Sequence, residues 1–77
     1  MTDAKLVEKY HDLRNEMYDL IEAENQSLSN FNSEGLSFEE ALKFKSFRKL
    51  HESRLESEKK FYSFEEKNID RLTDLDL

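Results

Sequence analysis

The sequence predicts an all-α protein, a long antiparallel helical hairpin that dimerises into a helical bundle. Three observations carry this reading. The chain of 77 residues has no proline and a single glycine, Gly35, near its middle. Apolar residues recur at steps of three and four on both sides of that glycine, the spacing of one helical face. The residues just after it, Ser37-Phe-Glu-Glu40, spell a helix start. The whole chain, 1–77, reads as one small domain. At this size only roughly 60% of the unfolded surface is buried, so stability is marginal. Apolar residues are 36% and charged residues 39%, a mix that suits amphipathic helices exposing much surface for each residue buried. Disorder is the rival reading of such a composition. Six Phe and three Tyr, placed at helical spacing, argue against it.

The first helix is expected over about 3–30, capped by Thr2 or Asp3. Its seam is Leu6, Tyr10, Leu13, Met17 and Leu20, and Val7, Ile21 and Leu28 widen the stripe on one side. The pattern weakens over Asn25 to Asn32, where Asn and Ser favour caps and turns, so the turn is expected over about 31–37. Gly35 is free to take a positive φ there. Ser37 and Glu40 form a capping box, with Leu36 and Ala41 placed for a hydrophobic staple.

The second helix is expected over about 38–70, with apolar positions Phe44, Phe47, Leu50, Leu55, Phe61, Tyr62, Phe64, Ile69, Leu72 and Leu75. A repeat of Ser-Phe-Glu-Glu at 63–66 offers a restart, and a third helix from Ser63 is the alternative. A turn centred near residues 33 and 34 sets Leu20 opposite Phe47, Met17 opposite Leu50 and Leu6 opposite Phe61. Leu13 then faces Arg54, Tyr10 faces Ser57, and Glu24 faces Lys43. The segment 66–77 would project past the first helix as a marginal element. Asp74 and Asp76 there sit badly at the negative end of a helix dipole.

Phe61, Tyr62 and Phe64 sweep about 160° of helix circumference at 100° per residue, more than one partner helix covers. The expected interaction surface, for self or target, is therefore Phe47, Phe61, Tyr62, Phe64, Ile69, Leu72 and Leu75. Charge is uneven within a net −6. Residues 1–35 hold three basic and eight acidic side chains, whereas residues 43–60 hold seven basic and three acidic. Mutual neutralisation across the hairpin is the plain consequence. The sharper one is an acidic stripe, Glu8, Asp12, Glu16, Asp19 and Glu22, along one helix face, which could imitate a phosphate backbone.

With no cysteine, disulfide, thiolate and cysteine-zinc chemistry are excluded. Glu8 and His11 have the Glu-x-x-His spacing of carboxylate di-metal bundles, but the other histidine, His51, has Arg48 where the second glutamate belongs. Neither metal nor cofactor is expected, and the chain does not read as an enzyme. No signal-like or membrane-spanning run is present: Met1 to Tyr10 carries Asp3 and Glu8. The expected setting is the cytoplasm, bacterial or that of a host if a virus encodes the chain. The expected function is a small acidic helical regulator, adaptor or inhibitor that binds a protein target, in the format of a chaperone or a phage-type modulator. A structural coiled-coil module that pairs only with itself is the first alternative. An acidic nucleic-acid mimic occupying a DNA- or RNA-binding protein is the second. A homodimer is expected in any of these, with no membrane contact and no direct nucleic-acid binding.

Overall fold

Thr2 opens the first helix. In the computed structural model, which describes residues 2–75, Thr2 Oγ1 accepts from the Lys5 backbone N–H at 3.3 Å. Helix α1 then runs Asp3–Ser33. It outlasts its expected end by three residues because Gly35 supplies a strong stop. At φ 84°, Gly35 lets the Leu36 N–H donate to the Phe31 carbonyl at 3.0 Å and its own N–H donate to Asn32 at 2.9 Å. That pair of bonds is a Schellman motif, which satisfies carbonyls the helix end would otherwise orphan.

Helix α2, Phe38–Ala41, begins with the capping box. Ser37 Oγ accepts from the Glu40 N–H and a Glu40 carboxylate oxygen accepts from the Ser37 N–H, both at 3.2 Å. Here the expectation of one helix over 38–70 is corrected. Leu42 to Phe44 break it, Phe44 being extended at φ −86°, ψ 124°. Helix α3 then spans Lys45–Lys67 and α4 spans Ile69–Asp74. No glycine or proline causes the first break; aromatic packing does. In an unbroken helix Phe38 and Phe47 would stand about 180° apart. With the break, Phe38 packs on Phe47 at 5.8 Å between ring centroids, and Phe31 packs on both Phe44 and Phe47 at 4.9 and 5.6 Å. Each such pair contributes about 0.5–1.5 kcal/mol beyond its buried area, which offsets the few helical hydrogen bonds forgone. The repeated Ser-Phe-Glu-Glu at 63–66 starts nothing, since α3 passes straight through Ser63. The later break falls at Asn68, whose side-chain amide donates to the Phe64 carbonyl at 2.9 Å, the local competition typical of asparagine.

Because the turn consumes residues 34–44, the register differs from the expected one. Tyr10 meets Phe61 at 5.3 Å, where Ser57 was expected. Glu24 meets His51 and Arg54, where Lys43 was expected. Asp3 pairs with Arg71. The slip is close to seven residues, or two helical turns. A slip of that size returns the same faces to the seam, so the seam residues survive and only their partners change. The pairings Leu20–Phe47, Met17–Leu50, Leu6–Phe61 and Leu13–Arg54 are accordingly replaced.

Among the described residues the buried apolar side chains are Leu6, Met17, Ala41, Phe47, Phe61 and Leu72. The molecule measures 48 × 16 × 15 Å, close to the about 46 Å of α1 alone. The expected projection of the C-terminal segment therefore does not occur. Arg71 and Leu72 lie level with the start of α1, and Leu72 is core. Asp76 and Leu77, part of that expectation, lie outside the described residues. All described regular structure is helical, and α1 packs along α3: the all-α hairpin stands.

Candidate functional surface

The helices place four kinds of surface. The first is a polar cluster inside the hairpin. Glu24, a seam position of α1, is buried, and a buried carboxylate must be paired. Arg54 Nε donates to one of its oxygens, and His51, with its proton on Nδ1, donates to the other. Arg54 also donates to Glu58 at 2.9 Å. Burial works against the Arg54 charge, but the hydrogen bonds and charges of Glu24 and Glu58 outweigh it, and its pKa is raised. Every member thus has a partner within the chain, as in a structural ion cluster rather than a site awaiting substrate. The expected register sets Glu24 opposite Lys43, away from His51. Four charged or titratable residues at seam-facing positions were the available signal.

The second surface is the acidic stripe. Glu8, Asp12, Glu16, Asp19 and Glu22 are all exposed, and helix geometry turns them away from α3. His11, the neighbour of Glu8 in the metal-like spacing, has its Nδ1 at 2.8 Å from the Arg14 guanidinium, a cation where a metal would need a free lone pair. Among the described residues no group of three or more His, Asp or Glu side chains is placed to hold a metal ion.

The third and fourth surfaces are the two flanks of the hairpin, and here the expected interaction residues separate. Phe47, Phe61 and Leu72 fill the chain's own core, so the surface expected of them is corrected: the middle of the apolar arc is used internally. Phe64 lies on one flank, half-buried beneath the Lys9 ammonium at 5.4 Å from its ring. An open groove of about 360 Å³ there is lined by Lys9, Leu13, Lys60 and Phe64 among others. Tyr62 and Ile69 lie on the other flank, 56% and 50% exposed. Leu75 is half-buried at the end of α4.

The Tyr62 flank is the more apolar. Leu55, Tyr62 and Ile69 follow one another at seven-residue steps, and Leu55 is 46% exposed. On α1, Val7, Arg14, Ile21 and Leu28 do the same, with exposed Tyr18 beside them. Both stripes border one side of the hairpin, for Ile21 and Leu28 line an open groove of about 280 Å³ together with Phe38, Arg54 and Glu58. The α1 members and Leu55 were missed as a surface. Their seven-residue spacing was the signal, hidden because the same residues also read as a widening of the seam.

Comparison of the chain with protein families, curated proteins and solved structures gives no match.

Proposed function

We propose that this protein acts by binding another polypeptide along the flank formed by Val7, Ile21, Leu28, Leu55, Tyr62 and Ile69, as a small helical regulator, adaptor or inhibitor rather than an enzyme. The carrying observation is that apolar flank. Leu55, Tyr62 and Ile69 are about half exposed, Val7, Ile21 and Leu28 lie half-buried across from them on α1, and Tyr18 beside these is exposed; contiguous apolar surface of this kind marks interaction sites. An amphipathic helix laid along a shallow apolar groove is an established mode of recognition. The grooves are open and no described cluster is arranged for metal chemistry, which supports a binding role. No described helix is long and apolar enough to cross a membrane. A cytoplasmic setting belongs to the same proposal, since a small cysteine-free chain suits a reducing compartment.

Affinity capture with the tagged wild-type chain and tagged Tyr62→Glu, from lysate that also contains the untagged chain, tests this. Partners should be recovered by the first and lost by the second, with helicity by circular dichroism unchanged. Equal recovery by both defeats the flank as the binding surface. The acidic stripe supports a second reading, the nucleic-acid mimic, because its five carboxylates are unencumbered by the fold. That reading expects a captured DNA- or RNA-binding protein that modest salt releases and that Glu16→Lys with Asp19→Lys abolishes.

A further inference from the structure

We propose that the occupant of the Tyr62 flank is a second copy of this chain, the two hairpins pairing into a four-helix bundle; this rests on the protein-binding reading and names its partner. The geometry is that of a bundle. Each stripe residue follows a seam-facing residue in sequence: Val7 after Leu6, Ile21 after Leu20, Leu55 after Arg54, Tyr62 after Phe61. One residue is about 100° of helix circumference, near the right angle that a helix needs between its two neighbours in a four-helix bundle. Both helices carry this second seam. The stripes also run in antiparallel register, Val7 level with Ile69 and Ile21 level with Leu55, as the ion pairs Asp3–Arg71 and Glu24–Arg54 require.

Area and charge select the same partner. A face of 48 by 16 Å outlines about 770 Å², matching the about 800 Å² that each partner contributes to a standard interface. The intramolecular core is small for a free-standing domain, being limited among the described residues to six apolar side chains. Helix α1 carries seven acidic and three basic residues, and α3 carries seven basic and five acidic. Setting α1 of one copy beside α3 of the other places a net-acidic helix next to a net-basic one in an isologous pair, whereas α1 beside α1 would set like charges together.

Light scattering and sedimentation equilibrium on the full chain test this, with Tyr62→Glu and Leu55→Glu on the proposed face and Ser63→Glu on the opposite flank as control. The wild type should have the mass of two chains at micromolar concentration, and its Tm should rise with concentration. Tyr62→Glu and Leu55→Glu should each weaken pairing by about tenfold or more, and Ser63→Glu should leave it unchanged. The wild-type Tm series stands even where a variant unfolds. A single-chain mass at every concentration, with a constant Tm, overturns the proposal. So does equal weakening by Tyr62→Glu and Ser63→Glu. A monomer that still captures a lysate protein, lost in Tyr62→Glu, overturns self-pairing while the protein-binding reading survives; a monomer whose capture ignores Tyr62→Glu overturns both.

Discussion

Glu24 illustrates how one side chain can constrain a small fold. Removing one member of a buried, hydrogen-bonded pair leaves the other charge uncompensated, at a cost of about 3–5 kcal/mol. Arg54→Ala is therefore expected to lower the unfolding free energy in urea by up to that order, because the Glu24 carboxylate keeps only His51 as a partner. Glu24→Leu combined with Arg54→Leu should recover most of the loss, because well-packed apolar replacements of buried pairs are often neutral or better. If Arg54→Ala changes the urea midpoint negligibly, Glu24 is solvated and the account fails. The pH consequence follows from the raised Arg54 pKa. A raised folded-state value stabilises below the unfolded arginine pKa and is lost only as pH climbs through the folded one, so the Arg54 contribution persists throughout the acidic and neutral range. At the turn, Gly35→Ala should cost about 1–2 kcal/mol for the left-handed backbone alone, since an added Cβ there would meet no neighbour within 4 Å. Ser37→Ala should cost about 0.5–2 kcal/mol through the lost cap. Thermal melts read both, and a wild-type Tm in Gly35→Ala would mean that the Schellman turn is idle.

At the level of helices, the decisive feature is register. A seven-residue slip leaves the apolar faces matched, so hydrophobic burial alone does not choose between registers two turns apart. The polar pairs do choose. In the expected register Glu24 would face Lys43, outside the middle of α3; in the observed one it lies between His51 and Arg54. Buried polar groups are known to specify register in helical assemblies. The chain has no native cysteine, so engineered pairs report register cleanly. Asp3→Cys with Arg71→Cys should cross-link readily, and Asp3→Cys with Phe64→Cys, the pair the expected register would bring together, should not. The reverse pattern would restore the shorter turn. The Glu24→Leu, Arg54→Leu double variant should keep its helicity and show more of the second cross-link than the single-pair controls, because one of the contacts that select register is gone while the aromatic cluster remains.

For the whole molecule, the C-terminal segment is part of the hairpin rather than an appendage. Leu72 is buried and Arg71 reaches Asp3 at the start of α1. Deleting a buried leucine side chain costs about 2–5 kcal/mol, a large share of the marginal stability of so small a domain. Truncation after Lys67 should accordingly lower Tm, with faster amide exchange in the first turns of α1, where Asp3 loses Arg71. Exchange in α1 that matches the full chain would show that α4 contributes nothing there. The legible part of the candidate surface followed the same division. Tyr62 and Ile69 were identifiable because an apolar arc of about 160° exceeds what one neighbour covers. Phe47, Phe61 and Leu72 read as part of the same surface because periodicity marks a residue as apolar-facing without saying which neighbour it faces.

The sequence by itself determined whatever depends on near neighbours or on period. That includes the all-helical class, a cap at Thr2 or Asp3, the Ser37–Glu40 box, the positive φ at Gly35, the seam residues Leu6, Tyr10 and Met17, and the acidic stripe along one helix face. These are set within one or two turns of chain, where backbone geometry and side-chain spacing act directly. Only the tertiary structure decided the break at Leu42 to Phe44, the two-turn shift of register, the burial of Glu24 and the docking of Leu72. Each of those turns on contacts between residues far apart in the chain, such as Phe31 with Phe44, Glu24 with Arg54 and Asp3 with Arg71. The physical reason is degeneracy: a face that repeats every seven residues fits its partner equally well after a two-turn slip, and the aromatic cluster and the ion pairs lift that degeneracy.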